Sequence, residues 1–180
     1  MGLVDCAAFA YARFFMDAQS PQPLPLAGGG LDRFVALADQ LPVLLERLRT
    51  MAPLSAPFET RGGVYVFSEN GQPMYVGQTR TFRRRMGQHT GAYSEENQAV
   101  FAFNIAKADA HRAGLDITRA RKALVADPVF ADLFRLAKVR VAAMEVRFVE
   151  IVDDPELRTV FEVYAAVAFG TQQFNSFDTH

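Results

Sequence analysis

The carboxylate of Glu162 is chemically conspicuous because its surroundings are apolar. Glu162 is the only charged residue in segment 160–169, which reads VFEVYAAVAF. A carboxylate that is buried on such a helix loses several kcal/mol of hydration unless something pairs with it. Glu162 is therefore expected to bind a metal ion, to pair with an arginine or to point into solvent, and the residues alone leave these alternatives open.

Two tyrosines, an arginine and a histidine recur at regular spacing in the middle of the chain. Tyr65 and Tyr75 are ten residues apart, Arg85 follows ten residues later, and His89 follows after four more. Residues four apart lie on one face of a helix, so Arg85 and His89 should share a face. A planar guanidinium can hold two phosphate oxygens. A phenol with a reference pKa of about 10 is a poor base until nearby cations favour its phenolate form, and both tyrosines could equally be ordinary strand aromatics.

A hairpin and a helix are predicted to carry these four side chains. The apolar runs 64–67 and 74–76 flank Asn70-Gly71. This dipeptide tolerates the positive φ of a tight turn, so the two runs should pair as antiparallel strands. After Gly77, polar and apolar residues recur at helical spacing through His89, which predicts a helix.

The later chain is predicted to supply further helices, a third strand and the helix that carries Glu162. Helices are expected at about 95–113, 117–125 and 128–136. Segment 139–152 alternates apolar and charged residues with a period of two, which indicates a half-buried strand beside the hairpin. Asp154 and Pro155 form a helix start, and Gly170 is placed to end that helix.

The ordered set of residues resembles the GIY-YIG nuclease family. The resemblance covers residues 63–89 and roughly 141–175. It lies in the spacing as well as in the residue types. The residues that carry it are Gly63, Val64, Tyr65, Tyr75, Val76, Gly77, Arg85, His89, Glu162 and Asn175.

The resemblance implies an α+β fold, an α/β sandwich-like arrangement in which helices flank a small three-stranded antiparallel sheet. Residues 61–180 would form the nuclease domain, with a helical insertion at about 95–136. The resemblance is silent about residues 1–60, which helical spacing and Pro/Gly breakers predict to be an N-terminal helical extension. This extension should hold a helix at 3–17, a Pro/Gly linker at 19–30 and, at 31–50, a helix that is kinked or divided near Gln40 because Pro42 interrupts it.

The resemblance also implies catalytic roles. Glu162 would be the protein ligand of a single Mg²⁺ or Mn²⁺ ion, whose other ligands are water and phosphate oxygens. Tyr65 is the leading candidate for the general base, and Tyr75 would position groups or act as the alternative base. Arg85 would offset charge in the transition state. His89 would assist the base or hydrogen-bond the phosphate.

Six further residues receive supporting roles by the same resemblance. Asn175 would brace the active site, although it could simply be a turn residue. Gly63 and Gly77 would support the site. The arginines that would hold flanking nucleic-acid backbone are Arg80, Arg83 and Arg84. Gln78 departs from the pattern, since the repair-type branch of the family usually has a lysine there.

The implied function is hydrolysis of DNA phosphodiester bonds by a Mg²⁺-dependent endonuclease, leaving a 5′-phosphate and a 3′-hydroxyl; RNA stays an alternative substrate. A second hypothesis is a non-catalytic module that binds nucleic acid or protein on the same scaffold. It would have no need of Glu162 together with Tyr65, Tyr75, Arg85 and His89. A third is a helical scaffold protein built on residues 1–60.

Composition agrees with a cytoplasmic nucleic-acid enzyme. The net charge is −1, yet segment 61–125 holds ten Lys and Arg against five acids, so positive charge sits with the motif. Cys6 is the only cysteine, which fits a reducing compartment. Neither a secretory signal nor a membrane span of about 18 apolar residues is indicated. Target recognition would come from the basic helices, the N-terminal helices, a second subunit or another protein.

Overall fold

The computed structural model describes residues 28–175, and internal contacts divide the chain into two compact units, 1–36 and 37–180. Of the first unit, residues 28–36 are described, and they lie in helix α1 (Gly28–Ala38). The predicted 3–17 helix and most of the predicted 19–30 linker lie outside the described residues. The linker prediction was wrong at its end, because Gly28, Gly29 and Gly30 already belong to α1.

A three-stranded antiparallel sheet and its helices form the second unit. The strand order is β2-β1-β3, which leaves β2 and β3 at the edges and confirms the predicted α+β fold. The remaining elements are α2 (Leu41–Thr50), β1 (Gly63–Glu69), β2 (Gln72–Thr79), α3 (Phe82–Thr90), α4 (Val100–Arg112), α5 (Arg121–Val125), α6 (Pro128–Ala142), β3 (Glu145–Glu150) and α7 (Pro155–Phe169).

Local sequence signals explain several of these boundaries. Asn70 and Gly71 have φ values of 52° and 75°, as the predicted tight turn requires. The predicted break near Gln40 is confirmed, since α1 ends at Ala38 and α2 begins at Leu41. At the start of α7, the Asp154 carboxylate accepts a hydrogen bond from the Leu157 N–H at 2.8 Å. Gly170 ends α7 in the left-handed conformation, with φ of 69°.

The predicted 139–152 strand was wrong at its beginning. Residues 139–142 continue helix α6, and the strand starts at Glu145. Phe130, Phe134, Ala137 and Val141 recur every three or four residues and are all buried, so a helical stripe competes with the strand-like alternation and prevails. The helix predicted at about 95–113 is shorter, because α4 begins only at Val100.

Two hydrophobic cores lie on opposite faces of the sheet. Alternation along the strands sends Tyr65, Phe67 and Tyr75 to the face covered by α3, α4 and α6. The residues between them, including Val64, Val66 and Val76, face the core shared with α2 and α7. Among residues 28–175, no helix combines the length and apolar character that crossing a bilayer requires.

Candidate active site at the edge of the sheet

Tyr65 and Gly77 face each other across the two hairpin strands, and the glycine makes room for the phenol. They are partners in the β1–β2 register. A Cβ atom added at Gly77 would lie 2.4 Å from the hydroxyl oxygen of Tyr65, a distance that no carbon can occupy without displacing the ring. Gly77 is therefore required so that the phenol of Tyr65 can lie across β2.

The hydroxyl of Tyr65 is held from two sides by helix α3. Its oxygen lies 2.7 Å from Nε2 of His89 and accepts a hydrogen bond from Nε of Arg85 at 3.1 Å. The positive charge of Arg85 also acts on the Tyr75 phenol, and Nη1 of Arg85 donates to the Gln98 carbonyl at 3.0 Å. One turn of α3 thus fixes the phenol, as the four-residue spacing of Arg85 and His89 predicts.

Burial controls the ionisation of both tyrosines. Tyr65 is fully buried and Tyr75 is 9% exposed. Burial raises the pKa of Tyr65 well above its ordinary value, Tyr75 raises it further, and the positive charge of Arg85 opposes both effects. Burial likewise raises the pKa of Tyr75, again against Arg85. Both phenols are therefore neutral near pH 7 in the protein alone.

The His89 imidazole is neutral as well. Its ring is fully buried, and burial followed by the nearby charge of Arg85 holds its pKa well below the ordinary range. Within residues 28–175, Nδ1 of His89 has no hydrogen-bond partner. Nε2 is thus the atom through which His89 exchanges a proton with its surroundings, and the group it meets there is the Tyr65 hydroxyl.

Glu162 reaches this cluster around the free edge of β2. Helix α7 packs on the opposite face of the sheet from Tyr65, yet Oε1 of Glu162 accepts a hydrogen bond from the Gln78 N–H at 3.2 Å. Gln78 directly follows Gly77. The carboxylate is close enough that its charge contributes to the raised pKa of Tyr65 and of Tyr75. The charge of Arg85 in turn acts to lower the pKa of Glu162. The site is therefore built across an edge strand.

The Glu162 carboxylate suits a hard divalent cation. Burial raises its pKa, which means that the charged form is poorly solvated, and no lysine or arginine among residues 28–175 forms an ion pair with it. The described part of the chain holds no cluster of three or more His, Cys, Asp or Glu that could bind a metal. Mg²⁺ keeps several water ligands and is often held by one or two carboxylates, so a single oxygen donor at this position fits it.

Asn175 completes the same edge of β2. Its Oδ1 accepts from the Val76 N–H at 3.1 Å and its Nδ2 donates to the Val76 carbonyl at 2.5 Å. The side-chain amide therefore pairs with β2 as a neighbouring strand would. Thr171 donates to Asn175 Oδ1 at 2.9 Å and holds the amide in place. Asn175 thus bonds with the backbone of Val76, and Glu162 bonds with the backbone N–H of Gln78, two residues further along the same edge.

Sequence reasoning missed a supporting pair, Gln78 and Arg158. Arg158 is 5% exposed, and it donates from Nε to Gln78 Oε1 at 3.3 Å and from Nη1 to the Ile151 carbonyl at 3.2 Å. Gln78 Nε2 donates in turn to Thr159 Oγ1. Arg158 lies one helical turn before Glu162 on α7. That four-residue spacing could have indicated from the sequence that the two side chains share one face of the helix.

The other predicted residues surround the cluster. Arg80 and Arg84 line a groove of about 230 Å³ with Arg85. Arg83 instead donates to the Phe58 carbonyl at 2.9 Å, outside that groove. Gly63 is required by the sheet, because a Cβ there would lie 2.1 Å from the Val149 carbonyl oxygen.

Comparison with protein families identifies the segment that carries the motif. Residues 61–122 match the family model described as the GIY-YIG catalytic domain. Neither the curated proteins nor the solved structures compared with the chain gave a match. The matched segment includes Tyr65, Tyr75, Arg85 and His89, and it ends before Glu162. Residues 61–122 are therefore similar to the GIY-YIG catalytic domain, and the three-stranded sheet with its helices is consistent with that fold.

Proposed function

We propose that this protein is an endonuclease that hydrolyses phosphodiester bonds of DNA with Glu162, Arg85, Tyr65, Tyr75 and His89 as its catalytic residues. One observation carries the proposal. Side chains from three elements, separated by up to 97 positions, converge on the Gly77–Gln78 edge of β2. The convergence supports catalysis over a passive binding module, since passive binding needs no half-buried carboxylate beside two neutral phenols.

The chain's own residues would move the proton of the attacking water. The Tyr65 oxygen accepts a hydrogen bond from Arg85 and would also accept the proton of the attacking water. As that oxygen accepts the water's proton, its own proton passes to Nε2 of His89, which is neutral and 2.7 Å away. This transfer needs no free phenolate, the form of Tyr65 that burial disfavours. Tyr75 would position the phosphate from the same side of the sheet.

Arg85 and Glu162 would handle the phosphate. The Arg85 guanidinium, already fixed by Tyr65 and Gln98, would donate to a phosphoryl oxygen as negative charge develops there. Glu162 would hold one Mg²⁺ or Mn²⁺ ion, with Gln78 and Arg158 orienting the edge where it sits. When bound, that ion supplies Lewis-acid neutralisation of the phosphate and of the leaving oxygen. Arg80 and Arg84 would contact flanking backbone phosphates.

Three wider features belong to the same proposal. Residues 61–180 would be the nuclease domain, with the helices of 95–136 as an insertion and residues 1–60 as an extension. We place the protein in the reducing cytoplasm, because Cys6 is its only cysteine. A second subunit or another protein would assist target recognition.

The test is nicking of supercoiled, branched and single-stranded DNA with Mg²⁺ or Mn²⁺. Wild type should cleave at least one of these DNAs, and Glu162→Ala should lose about 10³-fold in rate while still binding it. Glu46→Ala, which removes an exposed carboxylate on α2, is the matched control and should keep full activity. Equal cleavage by wild type and Glu162→Ala would refute the assignment of Glu162.

A further inference from the structure

The loop between α3 and α4, residues 91–99, is fixed by side-chain cations that bind its carbonyl oxygens. These bonds reach along most of its length and attach it to three helices. The bonds are Lys138 Nζ to the Ala92 and Ser94 carbonyls at 2.5 and 3.3 Å, Arg121 Nη1 to Glu96 at 3.3 Å, and Arg85 Nη1 to Gln98 at 3.0 Å.

Tyr93 stands out on this fixed loop. Its side chain is 99% exposed, although the two carbonyls on either side of it are bound by one lysine. Ser94 adds two more bonds, from its N–H to the Gly91 carbonyl and from Oγ to the Gly87 carbonyl. An aromatic ring that is exposed while its backbone is held rigidly is presented to a partner at little cost in conformational entropy.

Beside Tyr93 runs a groove of about 400 Å³ with a largely apolar floor; we call it the Tyr93 groove. Val139, which is 62% exposed, and Ala142 supply apolar surface, and Arg135 and Lys138 also line the groove. Among residues 28–175, the ion pair that Arg135 forms is with Asp132, at 3.4 Å in an exposed pair that contributes little. The groove thus offers an aromatic face, an aliphatic floor and an available guanidinium.

We propose that the Tyr93 groove binds an unpaired base of the DNA strand that is being cut, with the base stacked on the Tyr93 ring and its phosphate beside Arg135. The proposal rests on the proposed nuclease function and names the form of its substrate. Aromatic stacking is how proteins hold single-stranded nucleic acid without reading its sequence.

The position of the groove connects it to the candidate active site. Tyr93 lies four residues after His89, so their Cα atoms are at most about 14 Å apart. The same loop is held at its far end by Arg85, which contacts both site tyrosines. A single strand that occupies both the candidate site and the Tyr93 groove would follow this loop.

Stacking on Tyr93, with a single phosphate contact at Arg135, would account for most of the binding in the groove. Lys138 and Arg121 are engaged with loop carbonyls, Glu95 and Glu96 belong to the same loop, and Asp132 is paired with Arg135. A fully paired duplex, whose bases are stacked on one another, gains little from such a surface. Tyr93 should accordingly distinguish unpaired from paired DNA and should leave the salt dependence of binding unchanged.

The test measures binding of a labelled single-stranded DNA and of a blunt duplex of the same sequence, using full-length protein with Glu162→Gln to prevent cleavage. Tyr93→Ala should weaken single-strand binding about tenfold, and Tyr93→Phe, which keeps the ring, should change it less than about twofold. Duplex binding and the salt slope should not change. Val167→Ala, an exposed apolar residue on α7, is the control.

Two results would overturn the proposal. One is single-strand binding that is absent or is unaffected by Tyr93→Ala, and the other is an equal loss for duplex and single strand. Neither depends on cleavage. If nicking persists in Glu162→Ala while Tyr93→Ala selectively loses single-strand binding, the assignment of the catalytic site fails and the base-binding groove stands.

Discussion

The hydroxyl oxygen of Tyr65 lies 2.7 Å from Nε2 of His89, and both side chains are fully buried. This contact pairs a phenol whose pKa burial raises with an imidazole whose pKa burial lowers. Each group is neutral at pH 7, and Tyr65 can pass its own proton to Nε2 of His89 as its oxygen accepts another. The pair is thus suited to transferring a proton and not to storing charge.

His89→Gln should change how stability depends on pH. Between the depressed folded pKa of His89 and its ordinary value of about 6.5, the unfolded chain binds more protons. The unfolding free energy of wild type therefore rises with pH across that window, and the stability is lost again as pH falls. His89→Gln should flatten this rise in urea titrations between pH 5 and 7.5.

His111→Gln is the matched control for that titration. His111 is an exposed histidine at the end of α4, and its replacement removes an imidazole without touching the buried contact between His89 and Tyr65. If the two variants flatten the slope equally, the depressed pKa of His89 is refuted.

Gly77→Ala should abolish activity and destabilise the fold. The added methyl would lie 2.4 Å from the Tyr65 hydroxyl in a packed hairpin, and overpacking of this kind costs about 1–3 kcal/mol. Denaturant unfolding and nicking rate measure the two effects.

Gly87→Ala is the matched control. The added methyl meets nothing within 4 Å on the exposed side of α3, so the variant should keep activity and gain up to about 1 kcal/mol of stability. Normal activity in Gly77→Ala would mean that the Tyr65 hydroxyl has no fixed position.

Glu162→Gln should stabilise the metal-free protein at neutral pH. Burial raises the folded pKa of Glu162, so the folded chain binds more protons than the unfolded chain and wild type loses stability as pH rises above about 4.5. The variant avoids this loss and can still accept the Gln78 N–H bond. Melting temperatures measured in EDTA should therefore be higher for the variant at pH 7 and equal at pH 4.

Divalent metal should reverse the order of the two melting temperatures at pH 7, so that wild type melts above Glu162→Gln. Mg²⁺ that binds the folded state at Glu162 raises the melting temperature of wild type, and the variant should respond much less. Equal shifts in both proteins would exclude Glu162 as the ligand.

Much of the site could be predicted because it rests on local rules. The Asn70-Gly71 turn fixes the pairing that brings Tyr65 opposite Gly77, and the four-residue spacing places Arg85 and His89 on one helical face. Asp154 and Gly170 fix the ends of the helix that carries Glu162. Each of these inferences needs only a short stretch of sequence.

The contacts that depend on the edge of the sheet were beyond sequence reasoning. Glu162 approaches from the face opposite Tyr65 because α7 packs on Val64, Val66 and Val76. No local sequence pattern encodes this packing. The pairing of Asn175 with Val76 likewise joins residues 99 positions apart. The start of β3 was misplaced because a period of two and a helical stripe overlap in the segment 139–142.

Removal of residues 1–60 should prevent stable folding. The deletion removes Leu41, Leu44, Leu45 and Leu48 of α2, which are at most 8% exposed and pack in the core shared with α7. At about 1.5–3 kcal/mol for each buried leucine, their loss rivals the 5–15 kcal/mol that stabilises a typical domain. Urea unfolding of a 61–180 fragment should show no cooperative transition. A fragment as stable as the full chain would mean that α2 is dispensable for the fold.

The most direct measurement of the central claim is the cleavage rate of Tyr65→Phe, under single-turnover conditions, on the DNA that wild type cuts fastest. The change deletes one oxygen, and with it the proton path between water and His89, so the rate should fall about 10²- to 10⁴-fold. Tyr164→Phe, the same change on α7 in the opposite core, should cleave like wild type. A Tyr65→Phe rate within about twofold of wild type, in a protein that folds normally, would contradict the account.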